Sequence, residues 1–147
     1  MVLEGHRGLL YVVPMDFDPV RDYPLGTKRR DLVRTPGGLP VDALDLHGEG
    51  DLASELRATP ETLALQAQVA RAAGRTQLAD NLLRAAELAP VPDATLLEIY
   101  TALRPRRSTA GELEEWASRL DEWQAPLTAA FVREAAAVYA ERNLLAT

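Results

Sequence analysis

Two regimes of hydrophobic patterning divide this chain near Thr59. Beyond that residue apolar positions recur at helical spacing, and before it neither helical nor alternating order persists. Residues at i, i+3, i+4 and i+7 share one face of an α-helix, so apolar rows at that spacing predict a helix with one buried side. The rows Leu63/Ala67/Ala70 and Leu65/Val69/Ala72 predict a first helix, with Thr59 as N-cap, Pro60 at the tolerated first position, Glu61 on the positive dipole end and Gly74 as the stop. A second, over about 76–88 with Leu78, Leu82, Ala85 and Ala86, follows almost at once, which predicts a tight antiparallel hairpin. Pro90 and Pro92 end it. A third runs from Asp93, read as its N-cap, to Leu103, with Leu96, Tyr100 and Leu103 on one stripe and Pro105 beyond. A fourth opens on the capping-box pair Thr109 and Glu112 and carries the clearest stripe, Leu113, Trp116, Ala117, Leu120 and Trp123. The last, over about 126–144, is expected to turn Leu127, Ala130, Phe131 and Val138 inward. The first hairpin invites a repeat-protein reading, but the later helices show no fixed period and no tetratricopeptide signature.

Seven of the nine glycines and five of the ten prolines lie in the first 50 residues. Asp22-Tyr23-Pro24-Leu25-Gly26 and Thr35-Pro36-Gly37-Gly38 read as turns, because Pro fixes φ and Gly supplies positive φ without steric cost. Short extended pieces near Leu32-Val33 and Leu39 to Val41 are expected to pair weakly across the second turn. The expected class is therefore all-α: an irregular Pro/Gly-rich N-terminal arm over residues 1–58, then a bundle of about five short helices over 59–147. Met15 follows Pro14, so residues 1–14 read equally as part of the fold or as an upstream start or tag-like extension. Fully extended, an arm of about 40 residues reaches on the order of 130 Å, far beyond a helical body with a radius of gyration near ~12 Å. Such a segment is expected to lie along a partner, and Phe17, Tyr23, Leu25, Arg29, Arg30 and Leu32 are the candidate partner-interface residues.

Composition narrows the partners. Apolar residues make up 47% and charged residues 26%, the range of folded globular chains. A net charge of -6 speaks against nucleic acid or an anionic membrane, since both demand a basic face. Lys28-Arg29-Arg30 with Arg34 is too short for a nucleic-acid patch and suits an acidic protein surface better, or reads equally as solvated charge. The apolar run Leu9 to Val13 is too short for a signal-peptide core or a membrane span. Zero cysteines excludes disulfides and a thiol nucleophile and is compatible with a cytoplasmic location.

No catalytic, cofactor-binding or metal-binding residue is assigned. His6 and His47 are the only histidines, and neither stands in a nucleophile–base motif. The segment Asp45 to Asp51 imitates the start of a calcium loop but carries His47 at the third position and Leu56 where a bidentate Glu is required, so a polar surface turn is expected. Thr35 to Gly38 lacks any phosphate-loop pattern. Arg104, Arg106 and Arg107 at a helix end, and Glu112, Glu114 and Glu115 at a helix start, are explained by the helix dipole. Trp116 and Trp123 read as core or interface anchors.

Several blocks together resemble the small subunit of the adenosylcobalamin-dependent diol and glycerol dehydratases. They are Arg57 to Leu63 with Gln66, Ala72 to Ala79 with Asn81, Arg84 to Leu88, Val91 to Asp93, Leu97 to Tyr100, Ala102 to Pro105, Arg107 to Thr109, Ala129 to Ala135 and Val138-Tyr139. The resemblance runs from Tyr23 to Leu145. Arg106 replaces an expected aromatic, the stretch from Asp45 to Ser54 is unusually rich in glycine and acid, and residues 1–14 have no counterpart. The resemblance implies a complex with large and medium subunits, two copies of each, with adenosylcobalamin between the large and medium chains and substrate in a barrel of the large one. It implies a radical reaction taking a 1,2-diol to an aldehyde and water, in which this chain is an accessory without catalytic residues. A cytoplasmic location or packaging in a bacterial microcompartment follows from the same resemblance. The alternative, from the residues alone, is a free-standing helical adaptor that binds some other protein.

Overall fold

The computed structural model describes residues 13–45, 47 and 52–147, which divide into two compact units between Ala89 and Pro90. His6, residues 9–12 of the apolar run and most of the calcium-like segment lie outside the described residues. The described residues are helical, with no strand among them and one isolated antiparallel bridge, Arg34 to Pro40.

In the first unit, one-turn helix α1 (Leu25–Lys28) is followed by 3-10 turns at Arg30–Leu32 and Val41–Ala43 and by one-turn helix α2 (Leu52–Glu55). Helices α3 (Pro60–Ala72) and α4 (Thr76–Leu88) complete it. The Pro-Gly-Gly turn forms as expected. The Gly38 amide donates to the Thr35 carbonyl at 2.8 Å, the Thr35 amide donates to Leu39 at 3.0 Å, and Gly38 sits at φ 82°, a conformation that favours glycine. The other expected turn is instead entered through a cis Tyr23–Pro24 bond and becomes α1, while Leu32 lies in a 3-10 turn rather than an extended piece.

The described part of the Pro/Gly-rich stretch folds back on its own unit. Leu25, Asp22 and Thr35 are buried there. The α3–α4 pair closes on alanines: Ala67, Ala70 and Ala79 form its core, with Leu82 and Leu83 packed against it. Small side chains let two helix backbones approach closely, so the leucines flank the seam instead of filling it. Leu78, expected inward, is therefore 44% exposed, and Ala79 beside it is fully buried.

The second unit holds α5 (Asp93–Ala102), α6 (Ala110–Glu122) and α7 (Pro126–Glu141). Helix α5 starts one residue earlier than expected, with Pro92 as N-cap and Asp93 in the first turn, where its charge meets the positive dipole end. The capping box at α6 forms in full, the Glu112 amide donating to Thr109 Oγ1 and the Thr109 amide to Glu112 Oε2 at 2.8 Å. Helix α7 ends before Asn143, which takes φ 54°. Its buried face is Thr128, Ala129 and Val132, one residue off the expected stripe, and Phe131 is 43% exposed. Tyr139 Oη donates to the Leu103 carbonyl at 2.6 Å and the Ala146 amide to Ser108 at 2.9 Å, tying the chain's end to the α5–α6 connection.

Each unit contains the same helical hairpin, set 50 positions apart: N-caps Thr59 and Thr109, 13-residue first helices, buried Ala67 and Ala117, and buried Ala79 and Ala129. The turns match in backbone detail. Ala73 (φ -83°, ψ 9°) corresponds to Trp123 (φ -82°, ψ 10°), and positive φ falls at Gly74 (73°) and Gln124 (59°). Arg75 and Ala125 then donate back to the carbonyls of Ala70 and Leu120 at 2.8 and 2.9 Å, the closing bond of a Schellman motif. This corrects the expectation that the later helices lack a fixed period. The recurrence resides in caps and seam alanines, while most exposed positions differ, so a search for repeated signature residues passes over it.

Candidate partner interface

The six residues singled out as partner contacts all fall in the first unit. They divide by what their side chains already touch. Arg29 is committed within the chain, its guanidinium lying 3.2 Å from Asp22, 3.3 Å from Asp16 and 3.1 Å from Asp31. Arg30 pairs with Asp42. Leu25 is buried in its own unit, Phe17 and Leu32 are half-buried, and Tyr23 is 59% exposed.

Asp22 organises this cluster. Its side chain is only 7% exposed, and its carboxylate accepts from Arg21 Nε at 2.6 Å, from Arg29 Nη1 at 3.2 Å and from the Asp18 amide at 3.0 Å. A carboxylate with that many donors is held in its charged form, and the Arg21 hydrogen bond first, then the Asp18 amide, depress its pKa well below the ordinary range. Asp18 is lowered as well, by the backbone amides of Arg21 and Val20 that its Oδ1 receives at 2.8 and 2.9 Å. Arg29 is raised, chiefly by its hydrogen bond to Asp31. Lys28 reaches back to the Arg21 carbonyl at 2.9 Å. Local sequence explains the arrangement: Asp18 folds residues 18–22 into an Asx-type turn, which carries Arg21 and Asp22 toward Arg29.

Sequence reasoning missed the surface that this fold creates. A groove of about 730 Å³ runs between residues Pro19 to Gly26 and the α3–α4 hairpin, with Val69, Ala73, Arg75, Leu78 and Leu82 on the helical side. Val20, at 74% exposure, and Tyr23 stand on the opposite wall. The signal was present in Val20 and Leu78, but only the packing shows that both face one channel.

In the second unit the Arg119 guanidinium stacks on Trp116 and Trp123, and Arg133 clamps α7 to Glu114 and Asp121 of α6 at 2.8 and 2.9 Å. The Asp45 carboxylate accepts from the His47 amide at 2.9 Å. No cluster of three or more His, Cys, Asp or Glu with metal-site geometry occurs among the described residues, and no described helix is long and apolar enough to cross a membrane. The groove does not suit a corrin either: its walls are mostly apolar, with Tyr23, Gln66 and Arg75 as the side chains that carry polar groups. A corrin's amide-rich periphery needs many more hydrogen-bonding groups.

Comparison with known proteins agrees with the resemblance drawn from the residues. The family model described as dehydratase small subunit matches residues 19–146. The propanediol dehydratase small subunit of Citrobacter freundii is 50% identical over 130 residues, covering 86% of this chain and 76% of that protein. The protein of the same name from Salmonella typhimurium is 49% identical over 130 residues, covering 86% and 75%. On this match, carried over nearly the whole described chain, the protein belongs to the dehydratase small-subunit family.

Proposed function

We propose that this chain is the small, non-catalytic subunit of an adenosylcobalamin-dependent propanediol or glycerol dehydratase, docking on the large subunit and stabilising its catalytic barrel. The observation that carries the reading is identity near one half, over 130 residues, to two propanediol dehydratase small subunits. That match weighs against the free-standing adaptor. The chain's own features suit an accessory: an exposed apolar groove on one unit and compact hairpins in both. Adenosylcobalamin supplies the radical that starts the reaction, and in this reading it is held by the large and medium subunits. This chain then contributes binding energy and no proton, electron or ligand. The reading places it in the cytoplasm or in a bacterial microcompartment, wherever the large subunit is.

A pull-down with the tagged chain from its native cells, followed by identification of the bound polypeptides, tests the reading. Large and medium dehydratase subunits are the expected catch. Recovery of the chain without them overturns it.

A further inference from the structure

The two hairpins share a backbone design but differ on one face, and the difference is chemically informative. In the second hairpin that face bears Trp116, Arg119 and Trp123, with the guanidinium carbon 4.2 Å from one ring centroid and 5.6 Å from the other. Fifty positions earlier stand Gln66, Val69 and Ala73, all three lining the groove of the first unit. Where one copy covers its face with two indoles and a guanidinium, the other has small side chains and open space. Tyr23 and Leu78 are left exposed across it. Apolar area of this kind is stabilised when removed from water, and a contiguous exposed patch marks an interaction surface.

Charge points to the character of the occupant. Arg21, Arg29 and Arg30 are all paired with carboxylates of the chain itself. Arg75, at the groove, pairs with no carboxylate among the described residues. As far as the described residues go, it is a cation open to an incoming anion beside an apolar channel.

We propose that the groove seats an aromatic side chain of the large subunit, with a neighbouring carboxylate of that subunit meeting Arg75. The proposal rests on the dehydratase reading above. The aromatic ring takes the space that Trp123 occupies in the second hairpin, and the carboxylate adds a charge-assisted hydrogen bond that fixes orientation.

The test uses the full chain titrated onto the large and medium subunits. Ala73→Trp fills the groove with the residue that the second hairpin carries at the corresponding position and backbone angles, so the variant is expected to fold, which a circular dichroism melt checks. It is expected to bind at least tenfold more weakly. Arg75→Glu is expected to weaken binding by a similar factor and to flatten its dependence on salt, with Arg75→Lys recovering part of the loss. A photo-crosslinking residue at position 78 in the assembled complex is expected to mark a large-subunit segment holding an aromatic beside an Asp or Glu. Unchanged affinity of both Ala73→Trp and Arg75→Glu overturns the proposal. So does a crosslink to the medium subunit, to a second copy of this chain, or to its own residues 1–12. If the unmodified chain fails to bind the large subunit, the dehydratase reading itself falls and the groove proposal with it.

Discussion

Asp22 accepts hydrogen bonds from two arginines and a backbone amide, so the fold of residues 16–31 is coupled to its charge. Its folded pKa is depressed, as are those of Asp18 and Asp31. The stabilisation is therefore complete above the unfolded carboxylate value of about 3.9 and is lost as pH falls through the lower folded values. Amide resonances of Val20 and Arg21 are expected to hold still from pH 7 to about 4.5 and to move only below the ordinary carboxylate range. A midpoint at or above that range contradicts the network. At neutral pH, Asp22→Asn is expected to speed tryptic cleavage after Lys28, Arg29 and Arg30 several-fold while leaving the α6–α7 hairpin intact; an unchanged digestion rate counts against Asp22 as the organiser. None of this pairing was legible in the sequence. Charges are visible there, but whether Arg29 meets a partner or Asp22 depends on a turn that brings residues seven apart into contact.

Helix ends were the most legible elements, because caps are local chemistry. Thr59, Thr109 with Glu112, and Gly74 all act as expected. Thr109→Ala is expected to cost about 1 kcal/mol, seen as a lower melting temperature. The paired turns offer a sharper check. Gly74→Ala places a Cβ at positive φ and is expected to destabilise by roughly 1 kcal/mol, whereas Gln124→Gly relieves that strain and is expected to stabilise by about 0.5 kcal/mol, both by denaturant titration. Equal effects of the same sign contradict the matched-turn account. Helix faces were less legible than helix ends. The rows of α3 and α6 that hold Ala67, Ala70, Leu113, Ala117 and Leu120 are buried as expected, but alanine gives little periodic signal at Ala79 and Ala129, so the larger Leu78 and Phe131 drew the expected inward face of α4 and α7 one residue away. Ala79→Leu overfills that seam and is expected to cost 1–3 kcal/mol, about what overpacking costs elsewhere.

For the whole molecule, the helical class and the family were both legible, the first in periodicity and the second in blocks of residues spread from Arg57 to Tyr139. The groove was not, because it depends on residues 19–26 folding against a hairpin whose groove-lining residues begin only at Gln66. That this chain completes a dehydratase without doing its chemistry is the heart of the proposed function. It is tested most directly by measuring dehydratase activity per large subunit, in a fixed mixture of large and medium subunits with adenosylcobalamin, as this chain is titrated in. The account predicts that activity rises with added chain and levels off at one small subunit per large subunit, in a single complex of all three. Full activity from the large and medium subunits alone would contradict it.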